Sequence, residues 1–343
     1  MNVRIHLALA AVTIVSLLCG PAFAGTHIYY TEPGFDDGVR RIDPAIGATS
    51  NEFVVNFGGN PDPRGLALDA TNGDMYYTLG GGTINRASLV DGSGATTIIA
   101  SVGGSVPTDV ELDLAGGKLY WSVDSPAATA GVRRSNLNGT GVETLVSQVL
   151  LDSFVAPAVD PLVTADDVSG IELDLVGGRV YYASGVGLNS IPLSGVSAAA
   201  DAVNHFTVAT GDVTKIAIDF GSSEVYFTDN SGSKVRKRGL GGGAITEISD
   251  RGFGRPTGIA LDLPEGKVYF GDTSGVSGRG EILAAATDGS DSAAPDVLLS
   301  FGSTLYSPFD LELGPIPEPS TAALLVGVAL TEFLRSRSRK SIL

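Results

Sequence analysis

The sequence predicts an all-β chain folded as a six-bladed β-propeller, closed by pairing of its N- and C-terminal strands. Three observations point there: an Asp-to-Tyr spacing of seven residues that recurs five times, a composition rich in Gly and poor in charge, and incomplete units at the two ends that complete one another.

The repeat is an apolar stretch ending in Asp, followed seven residues later by Tyr. It occurs as Leu66–Asp69 with Tyr76, Val110–Asp113 with Tyr120, Ile171–Asp174 with Tyr181, Ile216–Asp219 with Tyr226, and Ile259–Asp262 with Tyr269. Each stretch is too short for a helix and is joined to the next by a turn such as Leu114–Lys118 or Leu263–Lys267, so each pair reads as a β-hairpin. A third strand follows at 84–89, 132–137 and 235–240, and a fourth apolar piece at 97–100 and 296–299. Four short strands in each unit of roughly 45 residues make one propeller blade. Forty-six glycines and a charged fraction of only 17% favour such tight turns and short strands over long charged helices.

The ends close the count. Residues 28–31 begin at a second strand with no first strand before them, and 307–313 form a first strand with nothing after it. Joined, they supply the sixth blade and leave no open sheet edge between blades.

Around the repeat the residues carry a family resemblance. PheThrAsp after Tyr226, PheGlyAsp after Tyr269 and TrpSer after Tyr120, with lead-ins ProArgGlyLeuAlaLeuAsp and ProThrGlyIleAlaLeuAsp, resemble the YWTD repeat of low-density-lipoprotein-receptor class B propellers over residues 27–314. The chain departs from that repeat at Leu79, Val123 and Ser184, where its Asp is missing and its inter-blade hydrogen bonding with it. The resemblance implies protein ligands, although partner choice is not inherited with a fold.

The two termini read as addresses. Residues 1–24 combine basic Arg4 and His6, the apolar run Leu7–Leu18 and small Ala22 and Ala24, the layout of a secretory signal cleaved after Ala24. The only cysteine, Cys19, lies inside it, so the mature chain is expected to hold no disulfide or cysteine ligand. Beyond the propeller domain, 25–314, the tail 315–343 carries Pro317, Glu318 and Pro319, an apolar run and an Arg-rich end. This resembles the PEP-CTERM sorting signal of Gram-negative envelopes. It implies an exosortase-type sorting enzyme as a partner, transient inner-membrane anchoring, and delivery to the cell surface or extracellular matrix. The apolar run to Leu334 is interrupted by Glu332 and falls short of the ~20 residues a comfortable span needs, which suits a transient stop; an ordinary C-terminal transmembrane anchor is the alternative.

Charge excludes one partner class. The net charge is -16, and setting aside Arg4 and the bases Arg335, Arg337, Arg339 and Lys340 makes the body more acidic still, so nucleic acid is not an expected partner. Catalytic templates are also sparse. After signal removal only His27 and His205 remain, and no nucleophile elbow, phosphate loop or metal-spaced histidine pair occurs. Arg41, Arg86, Arg134 and Lys237 share one third-strand position; they read as covers for aromatic or acidic neighbours, or as a basic belt for an anionic glycan. The repeat tyrosines read as core.

The sharpest chemical signal lies on the innermost strands. Two residues before the repeat Asp position, three blades carry Ala67, Ala217 and Ala260, and the others Glu111, Glu172 and Glu312. Strand alternation puts Asp109, Asp310 and Lys215 on the same face, so several acids converge on the central channel. Glu111, Glu172 and Glu312 are candidate metal ligands, with calcium the cation that carboxylates from separate blades suit; the alternative is that they are hydrated or paired with Lys215.

The function expected is that of an exported, non-enzymatic binding or matrix-interaction module. A metal-dependent hydrolase of the six-bladed lactonase type, with a divalent cation in the channel, is the rival. A protein or glycan ligand is expected on the face carrying the inter-blade loops and the loops between second and third strands, where Gly139–Val168 and Gly271–Gly280 are extended.

Overall fold

A computed structural model of the chain describes residues 24–34, 37–59, 61–101, 106–124, 130–147, 168–185, 187–196, 201–208, 212–250, 254–273, 280–301 and 308–316. The chain divides into two compact units: Met1–Thr26 with Pro315–Leu343, and His27–Gly314, which carries the blades. Among the described residues, 24 strands form six antiparallel sheets of four strands each, and the sole helical piece is a 3₁₀ turn at Gly47–Ser50. The fold is the six-bladed propeller that the repeat predicts.

Blade 1 is assembled from both ends: the C-terminal strand Leu311–Ile316 is innermost, followed outward by Ala24–Glu32, Gly38–Ile42 and Glu52–Asn56. Blades 2 to 6 follow in chain order, with innermost strands Pro63–Asp69, Val106–Asp113, Val168–Asp174, Val213–Asp219 and Pro256–Asp262. The closing strand begins at Leu311, later than the 307 expected. Just before it, Asp310 donates its backbone N–H to the Thr31 hydroxyl, while Thr31 exchanges backbone bonds with Asp310 and Phe309. Register breaks of this kind recur near the start of the other five innermost strands.

The core consists of six apolar layers, one between each pair of neighbouring blades. The second strand of each blade is buried on both faces. Tyr76 packs toward blade 3 against Leu119 and Trp121, whereas its neighbour Tyr77 packs toward blade 1 with Tyr29 and Val39. The five repeat tyrosines, and Tyr29 at the corresponding position of blade 1, are buried as expected. Each large side chain so buried contributes about 1.5–3 kcal/mol, the main term holding the blades together. The ring is closed by the same chemistry: Ile28, Tyr30 and Leu311 of blade 1 pack on Ala260, Tyr269 and Ile282 of blade 6.

The invariant Asp is explained by the hairpin that follows it. Its carboxylate accepts a backbone N–H inside the turn: Asp113 from Gly116 at 2.7 Å, Asp174 from Gly177 at 2.6 Å, Asp219 from Gly221 at 2.8 Å, and Asp69 from Asn72 at 3.0 Å. One residue on, the backbone enters the left-handed region, at Gly117 (φ 65) and Gly266 (φ 62). Glycine tolerates that conformation at no steric cost. These turns define the hairpin face of the propeller; the inter-blade connections lie on the other. The middle of the two loops expected to bind a partner, 148–167 and 274–279, lies outside the described residues.

A cavity in the central channel

Six innermost strands surround the channel, and their residues alternate in chemistry around it. Four positions before the repeat Asp, blades 2 to 6 and then blade 1 carry Gly65, Asp109, Gly170, Lys215, Gly258 and Asp310. Each glycine abuts the backbone of the next charged residue. A Cβ on Gly65 would lie 2.6 Å from Asp109 Cα, one on Gly258 2.6 Å from Asp310 Cα, and one on Gly170 3.0 Å from Lys215 Cα. Missing side chains on alternate blades thus let neighbouring strands approach closely and give the three charged residues a pseudo-threefold arrangement.

Those three form a buried ion triad. Lys215 Nζ lies 3.0 Å from Asp109 Oδ1 and 2.9 Å from Asp310 Oδ1, and it donates to the Thr108 carbonyl at 3.2 Å. The second oxygen of each aspartate accepts a backbone N–H from the next blade: Asp310 from Leu66 at 2.9 Å, Asp109 from Ile171 at 2.8 Å. Burial works against the lysine charge, but the two aspartates hold its ammonium above the ordinary lysine value. Burial, then the neighbouring Asp109, raises the Asp310 carboxyl well above the ordinary range, with Lys215 opposing.

Two residues further along, Glu111, Glu172 and Glu312 line the same channel beside Ala217 and Ala260, and together with the triad they enclose a cavity of about 310 Å³. Its lining extends from Asp109, Lys215 and Asp310 to Leu263 in a hairpin turn. Burial, followed by the charges of Glu172 and Glu312, pushes Glu111 well up; burial, then Asp310 and Glu172, does the same to Glu312. Glu172 is raised to about 8 by burial and then Asp109, against the pull of the Ile218 and Leu173 amides. The three glutamates do converge on one cavity. Among the described residues, however, no group of three or more His, Cys, Asp or Glu side chains is placed to hold a metal ion.

The remaining sequence candidates have structural partners. Arg41, Arg134 and Lys237 pair with Glu52 at 2.6 Å, Glu143 at 2.7 Å and Glu224 at 3.1 Å, Arg86 reaches Asp74 at 3.7 Å, and Lys237 also lies 5.5 Å from the Tyr226 ring centre. The basic positions therefore cover acids and aromatics of their own blades. His205 stacks on Tyr181 at 5.0 Å and shares a hydrogen bond with the Ser190 hydroxyl at 2.8 Å. Asp229 and Asp272, the repeat acids that are present, accept the N–H of Asp212 and of Arg255, just ahead of the innermost strand of their own blade. Besides the triad, hydroxyls also bond between blades, as Thr108 to the Val168 carbonyl (3.1 Å) and Ser169 to the Thr214 carbonyl (2.7 Å).

Ala24 begins the first strand, whereas Ala22, Pro317, Glu318 and Pro319 lie outside the described residues. No helix among the described residues is long and apolar enough to cross a membrane. Sequence reasoning missed the glycine-charge alternation. It also missed four exposed apolar residues, Leu114, Leu175, Phe220 and Leu263, each directly after a repeat Asp. Aligning the repeats on that Asp displays both signals.

No protein-family model matches the chain, and no curated protein matches it. Solved structures match in fold. The nidogen/laminin complex contains a chain 16% identical, with a TM-score of 0.63, 84% of this chain and 98% of that one being covered. A putative TolB from Agrobacterium tumefaciens is 11% identical, with a TM-score of 0.55, over 86% of this chain and 100% of that one. The periplasmic gluconolactonase PpgL of Pseudomonas aeruginosa is 13% identical, also with a TM-score of 0.55, over 85% and 99%. At these identities the likeness is one of fold, a six-bladed propeller shared by proteins with different tasks.

Proposed function

We propose that the chain is an exported, non-enzymatic propeller that acts as a binding module at the cell surface or in the extracellular matrix. The observation that carries this reading is the Asp109–Lys215–Asp310 triad: an ammonium already occupies the charge-neutralising position in the channel, and both aspartates are committed to it. The N-terminal signal layout and the Pro317-Glu318-Pro319 tail support export, passage through the inner membrane and sorting by an exosortase-type enzyme in a Gram-negative-type cell. The periplasmic source of PpgL agrees with an exported propeller.

The rival is a metal-dependent hydrolase of the lactonase type. One observation favours it: Glu111, Glu172 and Glu312 face one cavity, and calcium is the cation such carboxylates would take. A paired experiment separates the two. Purified full-length protein is assayed against a panel of lactones and esters with and without divalent cations, and partners crosslinked to it on native cells are identified by mass spectrometry. The binding-module reading expects reproducible partners and no cation-dependent turnover. Cation-dependent turnover that Glu172→Gln abolishes would overturn it.

A further inference from the structure

The hairpin face carries an apolar arc that the fold itself does not use. Leu114, Leu175, Phe220 and Leu263 are the first turn residues of blades 3, 4, 5 and 6, and they are 39%, 47%, 38% and 45% exposed. Isolated exposed apolar residues are ordinary, but here the same turn position repeats on four consecutive blades of the hairpin face. The arc is held rigidly. The repeat aspartates fix the turns, and the Phe220 ring lies 5.8 Å from that of buried Tyr181.

The lining of the acidic cavity includes one of the four, Leu263 of the blade 6 turn. An ammonium has three N–H donors, and those of Lys215 go to Asp109, Asp310 and the Thr108 carbonyl. None is left for the glutamates. Glu111 and Glu312 make no salt bridge or side-chain hydrogen bond among the described residues, and each is raised by burial and by acidic neighbours. A cationic head group entering the cavity relieves both costs, whereas an anion would add to them.

We propose that the hairpin-face mouth receives one lysine or arginine side chain of a partner polypeptide, whose flanking apolar residues rest on Leu114, Leu175, Phe220 and Leu263. This deepens the binding-module reading and rests on it. The occupant is a polypeptide because the arc spans four blades, a wider footprint than an inorganic cation or a small amine covers. Charge complementarity selects the residue that enters. The binding face is then the hairpin face and not the loop face expected from loop length.

The test is calorimetric titration of the full-length protein with three probes: acetyl-Ala-Leu-Lys-Leu-Ala-amide, the same peptide with norleucine in place of lysine, and n-butylamine. The lysine peptide is expected to bind saturably, at least about tenfold tighter than either other probe, since loss of one charged partner exceeds the ~1.4 kcal/mol that tenfold represents. Glu111→Gln with Glu312→Gln should weaken the lysine peptide by a similar factor. Leu175→Ser with Phe220→Ser should weaken the peptide and leave n-butylamine unchanged. Equal binding of the norleucine peptide, or n-butylamine binding as tightly as the lysine peptide, would overturn the proposal. Because variants can misfold, the wild-type protein is also coupled to the lysine peptide with a zero-length carbodiimide. Links at Glu111, Glu172 or Glu312 are expected, and links confined to surface carboxylates would overturn it. Failure here with cell-surface partners still captured removes this site alone, whereas cation-dependent turnover removes the binding-module reading.

Discussion

Lys215 on blade 5 and Asp310, which enters just ahead of the closing strand of blade 1, meet across the channel at 2.9 Å. The contact joins residues 95 positions apart in the chain and ties the last segment of the propeller to its middle. Asp310 also accepts the Leu66 N–H of blade 2, so one carboxylate bonds to blades 2 and 5 at once.

Lys215→Met should therefore be severely destabilising. It leaves Asp109 and Asp310 buried without their cation, a change that costs about 3–5 kcal/mol. Adding Asp109→Asn and Asp310→Asn retains the acceptors for Ile171 and Leu66 and removes the stranded charge. Urea unfolding should show most of the loss recovered in the triple variant. A triple variant no more stable than Lys215→Met would mean that packing, not charge, dominates here.

Gly258→Ala tests the close approach of neighbouring inner strands. The added Cβ would lie 2.6 Å from Asp310 Cα, so blades 6 and 1 must separate. Overpacking of this kind costs about 1–3 kcal/mol. Gly81→Ala, which meets nothing within 4 Å, is the control and should melt like the wild type. Equal melting temperatures for the two variants would contradict the packing argument.

Ser223 occupies the left-handed turn position (φ 57) that is glycine at 73, 117, 178 and 266. A left-handed non-glycine residue costs about 1–2 kcal/mol, partly offset by the larger entropy glycine loses on folding. Ser223→Gly should raise the midpoint of thermal unfolding by a few degrees. A lowered midpoint would show that the serine makes a compensating contact.

The channel glutamates give the protein a pH-dependent stability of definite sign. Glu172 is raised from 4.5 to about 8, so between those values the folded protein keeps a proton that the unfolded chain has released. Stability from this group is then unaffected below about pH 4.5, falls as pH rises, and is fully reduced above about pH 8. Glu111 and Glu312, raised in the same direction, steepen the fall, while Lys215, Asp109 and Asp310 beside them keep the local field mixed. Glu172→Gln should stabilise the protein at pH 8.5 and change little at pH 4. Urea midpoints at both values check this; a variant less stable at pH 8.5 would reverse the argument.

The blade count, the burial of the tyrosines and the closure by the C-terminal strand were legible in the sequence because each rests on spacing that repeats. Glu111, Glu172 and Glu312 were placed on one channel face by strand alternation alone, and the cavity joins them. What alternation does not encode is distance. Whether carboxylates from blades 1, 3 and 4 meet at one ion or stand apart depends on channel width, and that width follows from Gly65, Gly170 and Gly258 letting strands approach. Lys215 was visible as a neighbour of these acids. Its level, four positions before the repeat Asp, is shared with the two aspartates and not with the glutamates, but the distances that close the triad do not follow from spacing.

The central claim is that Lys215 is paired with Asp109 and Asp310 and that the channel serves the proposed binding role and not a catalytic metal. Calorimetric titration of chelator-treated full-length protein with calcium tests it most directly. The account predicts no saturable heat up to millimolar calcium in the wild type. Saturable binding that disappears in the Glu172→Gln variant would contradict it and return the channel to metal chemistry.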